Sequence, residues 1–173
     1  MEKYTQKQVE ALARIAAADY AAACTGPTIR GRNGEKNLRG GSIEEVAMNN
    51  GITVEQAKAL TIDLATATFD EMSEHWQNTN IESAKGMIAL LPSFAEGDND
   101  GATVLKTILA VPDFNTQAKY AAILHEAWLK LPANSWALGG DLDRPFSELT
   151  PEEQAKDIQQ LMSLRDWLIS LEA

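Results

Sequence analysis

The feature that most limits the fold is a recurring helix-start signal, with no strand-like alternation between its copies. Four segments place Ser or Thr three residues before Glu or Gln: SIEE (42–45), TVEQ (53–56), TNIE (79–82) and TPEE (150–153). In this pattern the hydroxyl accepts a hydrogen bond from a free backbone N–H at the start of a helix. Apolar residues also recur at spacings of three and four, the period of an amphipathic helix. The sequence therefore predicts an all-α, compact protein of six to eight helices.

One pair of these predicted helices has the residue pattern of a helix-turn-helix unit, at 42–77. Ala47 is small, Gly51 provides the turn, and Ala57 is apolar, which lets two helices approach closely. We expect the second helix to run from 53 to about 77. A DNA-reading helix carries basic or amide side chains, whereas this one carries several acids. We therefore favour a packing unit and keep DNA binding as an alternative.

The C-terminal part is predicted to be a helical hairpin. Apolar residues at helical spacing predict one helix over 116–131, and the Thr150 cap predicts a second that ends near Leu171. Proline and polar residues interrupt the pattern before this hairpin. We expect an N-terminal helical region at 1–110 and a C-terminal domain at 111–173, with a single packed unit as the alternative.

Charge and the N-terminal sequence restrict the class of partner and the compartment. The net charge of −10 opposes contact with phosphate backbones, so we do not expect a nucleic-acid partner. The acidic helices suit a basic protein instead. Cys24 is the single cysteine, the first residues lack the order of a signal peptide, and no apolar run is long enough to span a membrane. We expect a cytoplasmic protein without membrane contact.

The segment 24–41 departs from the acidic character of the chain. It contains five glycines, one acid, and four basic residues, Arg30, Arg32, Lys36 and Arg39, which gives it a local charge of +3. Glycines let backbone N–H groups turn toward an anion, and arginines can clamp a phosphate. We therefore name these four as anion-binding candidates for a nucleotide or another phosphorylated ligand. The alternative is an ordinary surface loop.

No sequence motif indicates catalysis, a cofactor or a metal. A nucleophile elbow, a P-loop and a nucleotide fingerprint are all missing from the sequence. The acidic stretch 96–107 places Thr107 where a calcium loop needs a bidentate glutamate. The two histidines, His75 and His125, have no recognisable ligand spacing around them. We expect a protein that is not an enzyme, with no catalytic residue, no cofactor and no metal site.

Three stretches of the C-terminal part carry a family resemblance. ILHEAWLK (123–130), SWALGG (135–140) and RPFSELTPEEQAKD (144–157) resemble the helix, the turn and the capped second helix of the ryanodine-receptor repeat domain. The resemblance covers about a third of the chain, roughly 116–173. The family's longer loop, with its His-Pro-x-Leu element, is replaced here by DLDR (141–144), which puts a ligand surface formed by that loop in doubt.

The resemblance implies a small helical module of the kind found in calcium-release channels and in bacterial and bacteriophage proteins. It implies an interaction or ligand-sensing role and transfers no site residue. Trp128, Trp136 and Phe146 are expected to be structural aromatics, because large rings dominate a small core. We expect a non-enzymatic protein, of phage or bacterial origin, that acts through contact with a protein partner. The alternatives are a sensor using the basic segment and a helix-turn-helix DNA-binding regulator.

Overall fold

A computed structural model describes residues 3–108 and 113–173 of the chain. The chain divides into two compact units, of which the first ends at Ser83 and the second begins at Ala84. The predicted boundary between 110 and 111 lies outside the described residues. Residues 84–108 belong to the second unit because their helical segments pack against the C-terminal helices.

The described residues form seven α-helices and one two-stranded antiparallel sheet, so the all-α prediction of six to eight helices is confirmed. The elements in chain order are α1 Gln6–Ala23, β1 Ile29–Gly31, α2 Ile43–Asn50, α3 Val54–Leu60, β2 Thr61–Asp63, α4 Glu74–Ala89, α5 Gly101–Ile108, α6 Phe114–Lys130 and α7 Pro151–Ser170. None of the described helices is long and apolar enough to cross a membrane.

The first unit contains the expected helix-turn-helix pair, α2 and α3. Ser42 and Thr53 cap the two helices through their hydroxyls. Gly51 ends α2 with φ of +62°, a left-handed conformation that glycine adopts without a steric penalty. Ala47 and Ala57 are buried in the cluster that joins the two helices. Small side chains at these positions allow the close approach of the helices.

The prediction of one long helix from 53 to about 77 is wrong. The second helix of the pair ends at Leu60, and Thr61–Asp63 then pairs with Ile29–Gly31 as an antiparallel strand. Two β-branched residues, Thr61 and Ile62, favour this extended geometry. The chain forms a short 3₁₀ turn at Phe69–Glu71 and returns to α-helix at Glu74. The predicted helix start at Thr79 is therefore wrong, because Thr79 lies inside α4. Short-range helical spacing did not reveal the pairing because the partner strand lies about thirty residues away.

The second unit is built on the expected C-terminal hairpin, in which α6 and α7 pack against each other. The Thr150 hydroxyl accepts a hydrogen bond from Glu153 N at 3.2 Å, which confirms the predicted start of the last helix. Trp167 and Leu124 are fully buried. A short 3₁₀ turn, Leu91–Phe94, and α5 complete this core from the N-terminal side. The loop between α6 and α7 carries the candidate site.

Candidate functional site

Three large apolar side chains lie together where α6 leads into the loop before α7, and we call them the Trp136 surface. Trp128, at the end of α6, is half-buried, whereas Trp136 and Leu138, in the loop, are exposed. Trp136 is 70% exposed and Leu138 is 56% exposed. The half-buried ring of Trp128 lies edge-on to that of Trp136, with 5.8 Å between their centroids. Edge-to-face packing is a favourable arrangement of aromatic rings. It holds Trp136 in place without removing it from solvent.

Local structure explains why Trp136 and Leu138 face outward. The chain leaves α6 and enters a 3₁₀ turn, Pro132–Ala137. The Asn134 side-chain amide donates to Trp128 O at 2.9 Å, which ties the turn to the end of the helix. Ala137 is only 3% exposed and therefore anchors the turn from below. Its two sequence neighbours consequently project to the outside.

Beneath this surface lies a buried pair, His125 of α6 and Asp157 of α7. Their Nδ1 and Oδ2 atoms are 3.1 Å apart, and the side chains are 4% and 14% exposed. On the other side of the ring, His125 Nε2 lies 2.9 Å from Leu142 O and 3.0 Å from Arg144 O. Carbonyl oxygens only accept hydrogen bonds, so Nε2 must carry a hydrogen that it donates to them. One imidazole thus joins both helices to the loop.

Burial raises the pKa of Asp157 to about 6. The cost of removing the carboxylate from water is the largest cause, and the nearby charge of Glu153 acts in the same direction. The charges of His125 and Lys156 oppose the shift. Within the described residues, Oδ2 of Asp157 is buried and has no hydrogen-bond partner, although His125 Nδ1 lies 3.1 Å away.

The three aromatics expected to be structural occupy different environments. Phe146 is 7% exposed and packs in a cluster with Ala121 and Leu149. Trp128 is half-buried and stacks on the His125 ring, with 6.2 Å between centroids and 13° between planes. Trp136, with 70% exposure, is a surface residue and not part of the core. A tryptophan in a loop gives no sequence signal that tells these environments apart.

The four anion-binding candidates do not share one environment in the first unit. Arg32 donates to Ala59 O at 3.3 Å and to Thr61 O at 3.0 Å, carbonyls at and just beyond the end of α3. Arg30 lies in β1 and donates to its neighbour Ile29 O at 2.8 Å. Both guanidinium groups stabilise the local fold, because they donate hydrogen bonds to backbone carbonyl groups in the last turn of α3 and in the two strands.

Arg32, Lys36 and Arg39 are exposed, and of these Lys36 and Arg39 have no side-chain hydrogen bond or ion pair with another described residue. Between them, Leu38 is 6% exposed and belongs to the core of the helix-turn-helix pair. The segment is therefore anchored to the first unit at its centre. The neighbouring helix α3 buries only Ala57, so its remaining side chains face solvent.

Comparison with known proteins returns no matching family model, no matching curated protein and no matching solved structure. In the ranges 3–108 and 113–173, no three His, Cys, Asp or Glu side chains are grouped so that they could hold a metal ion. The candidate site at the Trp136 surface therefore rests on the geometry of this structure alone.

Sequence reasoning missed the pairing of His125 with Asp157 and the exposure of Trp136. Both residues of the pair lie inside the stretch that carries the family resemblance, but they are 32 positions apart (157 minus 125). A heptad-like alignment of α6 against α7 could have placed them at one level of the hairpin. No sequence signal shows which of two neighbouring tryptophans faces solvent.

Proposed function

We propose that this protein is a non-enzymatic interaction protein that binds a basic protein partner through the Trp136 surface. The observation that carries the proposal is an exposed tryptophan and an exposed leucine on either side of the buried Ala137. Tryptophan is enriched among the residues that dominate the energy of protein–protein contacts. The resemblance of the C-terminal part to the ryanodine-receptor repeat, an interaction module in bacterial and phage proteins, supports the same role.

The Trp136 surface is held in place before any partner arrives. The Asn134 bond to Trp128 O, the edge contact between the two indole rings and the buried Ala137 all restrict the loop. A restricted surface loses less conformational entropy on binding than a mobile one. This favours a contact made by a preformed aromatic anchor that enters a pocket of the partner.

Charge around the surface favours a basic partner. Between 126 and 153 the sequence carries six carboxylates and two cationic side chains. Glu126 and Asp141 pair with the two cations, Lys130 and Arg144, at 3.4 and 3.8 Å. The stretch keeps a net charge of −4 (two minus six). Exposed charges of one sign steer an oppositely charged partner and raise the rate of association.

The proposal can be tested by placing a photo-crosslinking phenylalanine derivative at position 136 and, as the matched control, at Phe114. Phe114 is also in the second unit and is 62% exposed. We expect a crosslinked partner from position 136 and none from 114. The affinity of the purified partner should then fall by roughly 30-fold in Trp136→Ala, the loss typical of a dominant interface residue. Equal crosslinking at both positions, or unchanged affinity in the variant, would contradict the proposal.

A second candidate is a DNA-binding regulator, favoured by the geometry of α2 and α3. The second helix of the pair is exposed apart from Ala57, as a groove-reading helix must be. Lys36 and Arg39 are available for phosphate contact. The affinity for DNA should fall steeply as the salt concentration rises. In the double variant Lys36→Ala/Arg39→Ala, the affinity should depend less on salt, because two phosphate contacts are lost. If the protein does not bind duplex DNA at 50 mM salt, this candidate function is excluded.

A further inference from the structure

We propose that the Trp136 surface binds one arginine side chain of the partner, whose guanidinium group stacks on the Trp136 indole and pairs with the carboxylate of Asp143. This inference rests on the proposed function, since it specifies the chemical group that the surface recognises. Three features of the surface support it. They are an indole face without a cation, a carboxylate without a counter-ion, and an exposed aliphatic side chain that lies between the two in the sequence.

The Trp136 ring has at least one face open to solvent. The residue is 70% exposed, and among the described residues its ring contacts only Trp128, edge-on, with 5.8 Å between centroids and 90° between planes. Such a contact involves one face of a ring at most, so another face of Trp136 stays available. No described lysine or arginine lies over this ring. The face of an aromatic ring attracts a cation, and indole does so most strongly.

The loop fixes a carboxylate at the border of the Trp136 surface. Asp143 Oδ2 accepts a hydrogen bond at 2.8 Å from Gly139 N, the backbone amide that directly follows Leu138. Asp143 is exposed, and it forms no ion pair with a lysine or arginine in the described part of the chain. Asp141, in the same loop, already pairs with Arg144 at 3.8 Å. Asp143 is therefore the carboxylate of this loop that can pair with a cation from a partner.

The first unit contains an arginine that is held in the way we propose for the partner's arginine. The Arg14 guanidinium carbon lies 4.6 Å from the centroid of the Phe69 ring. Its two terminal nitrogens donate to Asp70 Oδ2 at 3.1 Å and to Asp70 Oδ1 at 2.9 Å. One guanidinium can stack on a ring and bind a carboxylate together, because it has a flat face and five donors in its plane. At Trp136 the ring and the carboxylate are present, and no described residue supplies the arginine.

The remaining features of the surface favour arginine over lysine. Leu138 is 56% exposed and offers apolar contact to the methylene stem of a long cationic side chain. The ammonium group of lysine is strongly hydrated and has no flat face to place on an indole, whereas guanidinium is weakly hydrated and planar. The net charge of −4 over 126–153 attracts a cation to this side of the unit. We therefore assign the site to arginine.

The test titrates the protein with a short acetylated and amidated glycine peptide that has one arginine at its centre. Nitrogen-15 NMR follows the indole N–H of Trp136 and the backbone amide of Leu138. Two comparison peptides replace the arginine by lysine or by citrulline, which has a similar shape and no charge. Trp136→Leu removes the ring and keeps an apolar side chain. Asp143→Asn keeps an acceptor for Gly139 N and removes the charge, and Asp141→Asn is the matched control in the same loop.

We expect the arginine peptide to shift both signals to saturation and the lysine peptide to bind less tightly. Citrulline should weaken binding roughly tenfold, because it removes both the contact with the ring and the ion pair. The affinity for the arginine peptide should fall about two- to fivefold in Trp136→Leu and about threefold in Asp143→Asn, and it should not change in Asp141→Asn.

Signals that do not move would overturn the proposal, as would a lysine or citrulline peptide that binds as tightly as the arginine peptide. Equal losses in Asp143→Asn and Asp141→Asn would also overturn it, because a general attraction to the acidic loop would then explain the binding. A partner that crosslinks from position 136 while the arginine peptide does not bind would leave the proposed contact intact. If no partner crosslinks from position 136, the proposed function fails whatever the peptides do.

Discussion

Replacing Gly101 by alanine should destabilise the second unit strongly, because α5 begins where its backbone touches another segment. A Cβ at this position would lie 1.7 Å from Leu91 O and 2.7 Å from Leu91 C. An ordinary contact between carbon and a carbonyl oxygen is about 3.3 Å, so the two segments must separate by roughly 1.5 Å. The obstacle is backbone and cannot escape by changing rotamer. We expect a loss of about 3 kcal/mol, at the upper end of the usual range for overpacking.

Gly86 provides the matched control for the same substitution. It lies within α4, and the nearest atom to an added Cβ is Leu131 Cδ1 at 3.8 Å, an ordinary van der Waals distance. Alanine loses less backbone entropy than glycine inside a helix, which is worth about 0.5–1 kcal/mol. Gly86→Ala should therefore stabilise the unit, while Gly101→Ala destabilises it.

Urea unfolding followed by tryptophan fluorescence measures both effects, since Trp167 is fully buried in the second unit. The midpoint should fall in Gly101→Ala and rise in Gly86→Ala, with similar slopes. In a thermal melt, a loss of about 3 kcal/mol from a unit of this size lowers the midpoint by roughly 12–24 °C. A Gly101→Ala midpoint at or above that of wild type would refute the close approach of α5 to Leu91.

Three further predictions concern the core, the basic segment and an ion pair. Trp167→Ala should cost about 3–5 kcal/mol in urea unfolding, because the side chain is fully buried. Arg32→Ala should destabilise the first unit by about 1 kcal/mol by leaving carbonyls at the end of α3 unpaired, whereas Arg39→Ala should leave the midpoint unchanged. The hydrogen bond from Arg14 lowers the pKa of Asp70, so this pair stabilises the fold above pH 4 and is lost on acidification. Asp70→Asn should remove part of the acid sensitivity in a pH titration of stability.

Three of the four predicted helix starts, at Ser42, Thr53 and Thr150, are confirmed, because the groups that form each start are close in the chain. Thr150 caps the last helix through Glu153 N, and Thr53 forms a reciprocal box with Gln56. The turn at Gly51 was readable for the same reason, since only its own conformation is involved. The family resemblance of the C-terminal part remains a prediction from residue pattern.

Two arginines show what could not be predicted from neighbouring residues in the sequence. Arg30 and Arg32 have the composition of an anion site, but their guanidinium groups bond to backbone carbonyls. The carbonyls that hold Arg32 come from α3 and β2, 27 and 29 positions away. A count of charges along the sequence cannot show that a guanidinium group already donates hydrogen bonds to carbonyl groups so far away in the chain.

The sequence by itself determined the helical class, the helix starts at Ser42, Thr53 and Thr150, and the α2–α3 turn. Each of these depends on hydrogen bonds and side-chain spacing within about one turn of chain. Only the tertiary structure decided that Thr61–Asp63 pairs with Ile29–Gly31, that His125 meets Asp157, and that Trp136 faces outward. These features depend on how segments far apart in the chain pack and which side chains that packing buries. Packing of this kind places the buried His125–Asp157 pair beneath an exposed aromatic surface.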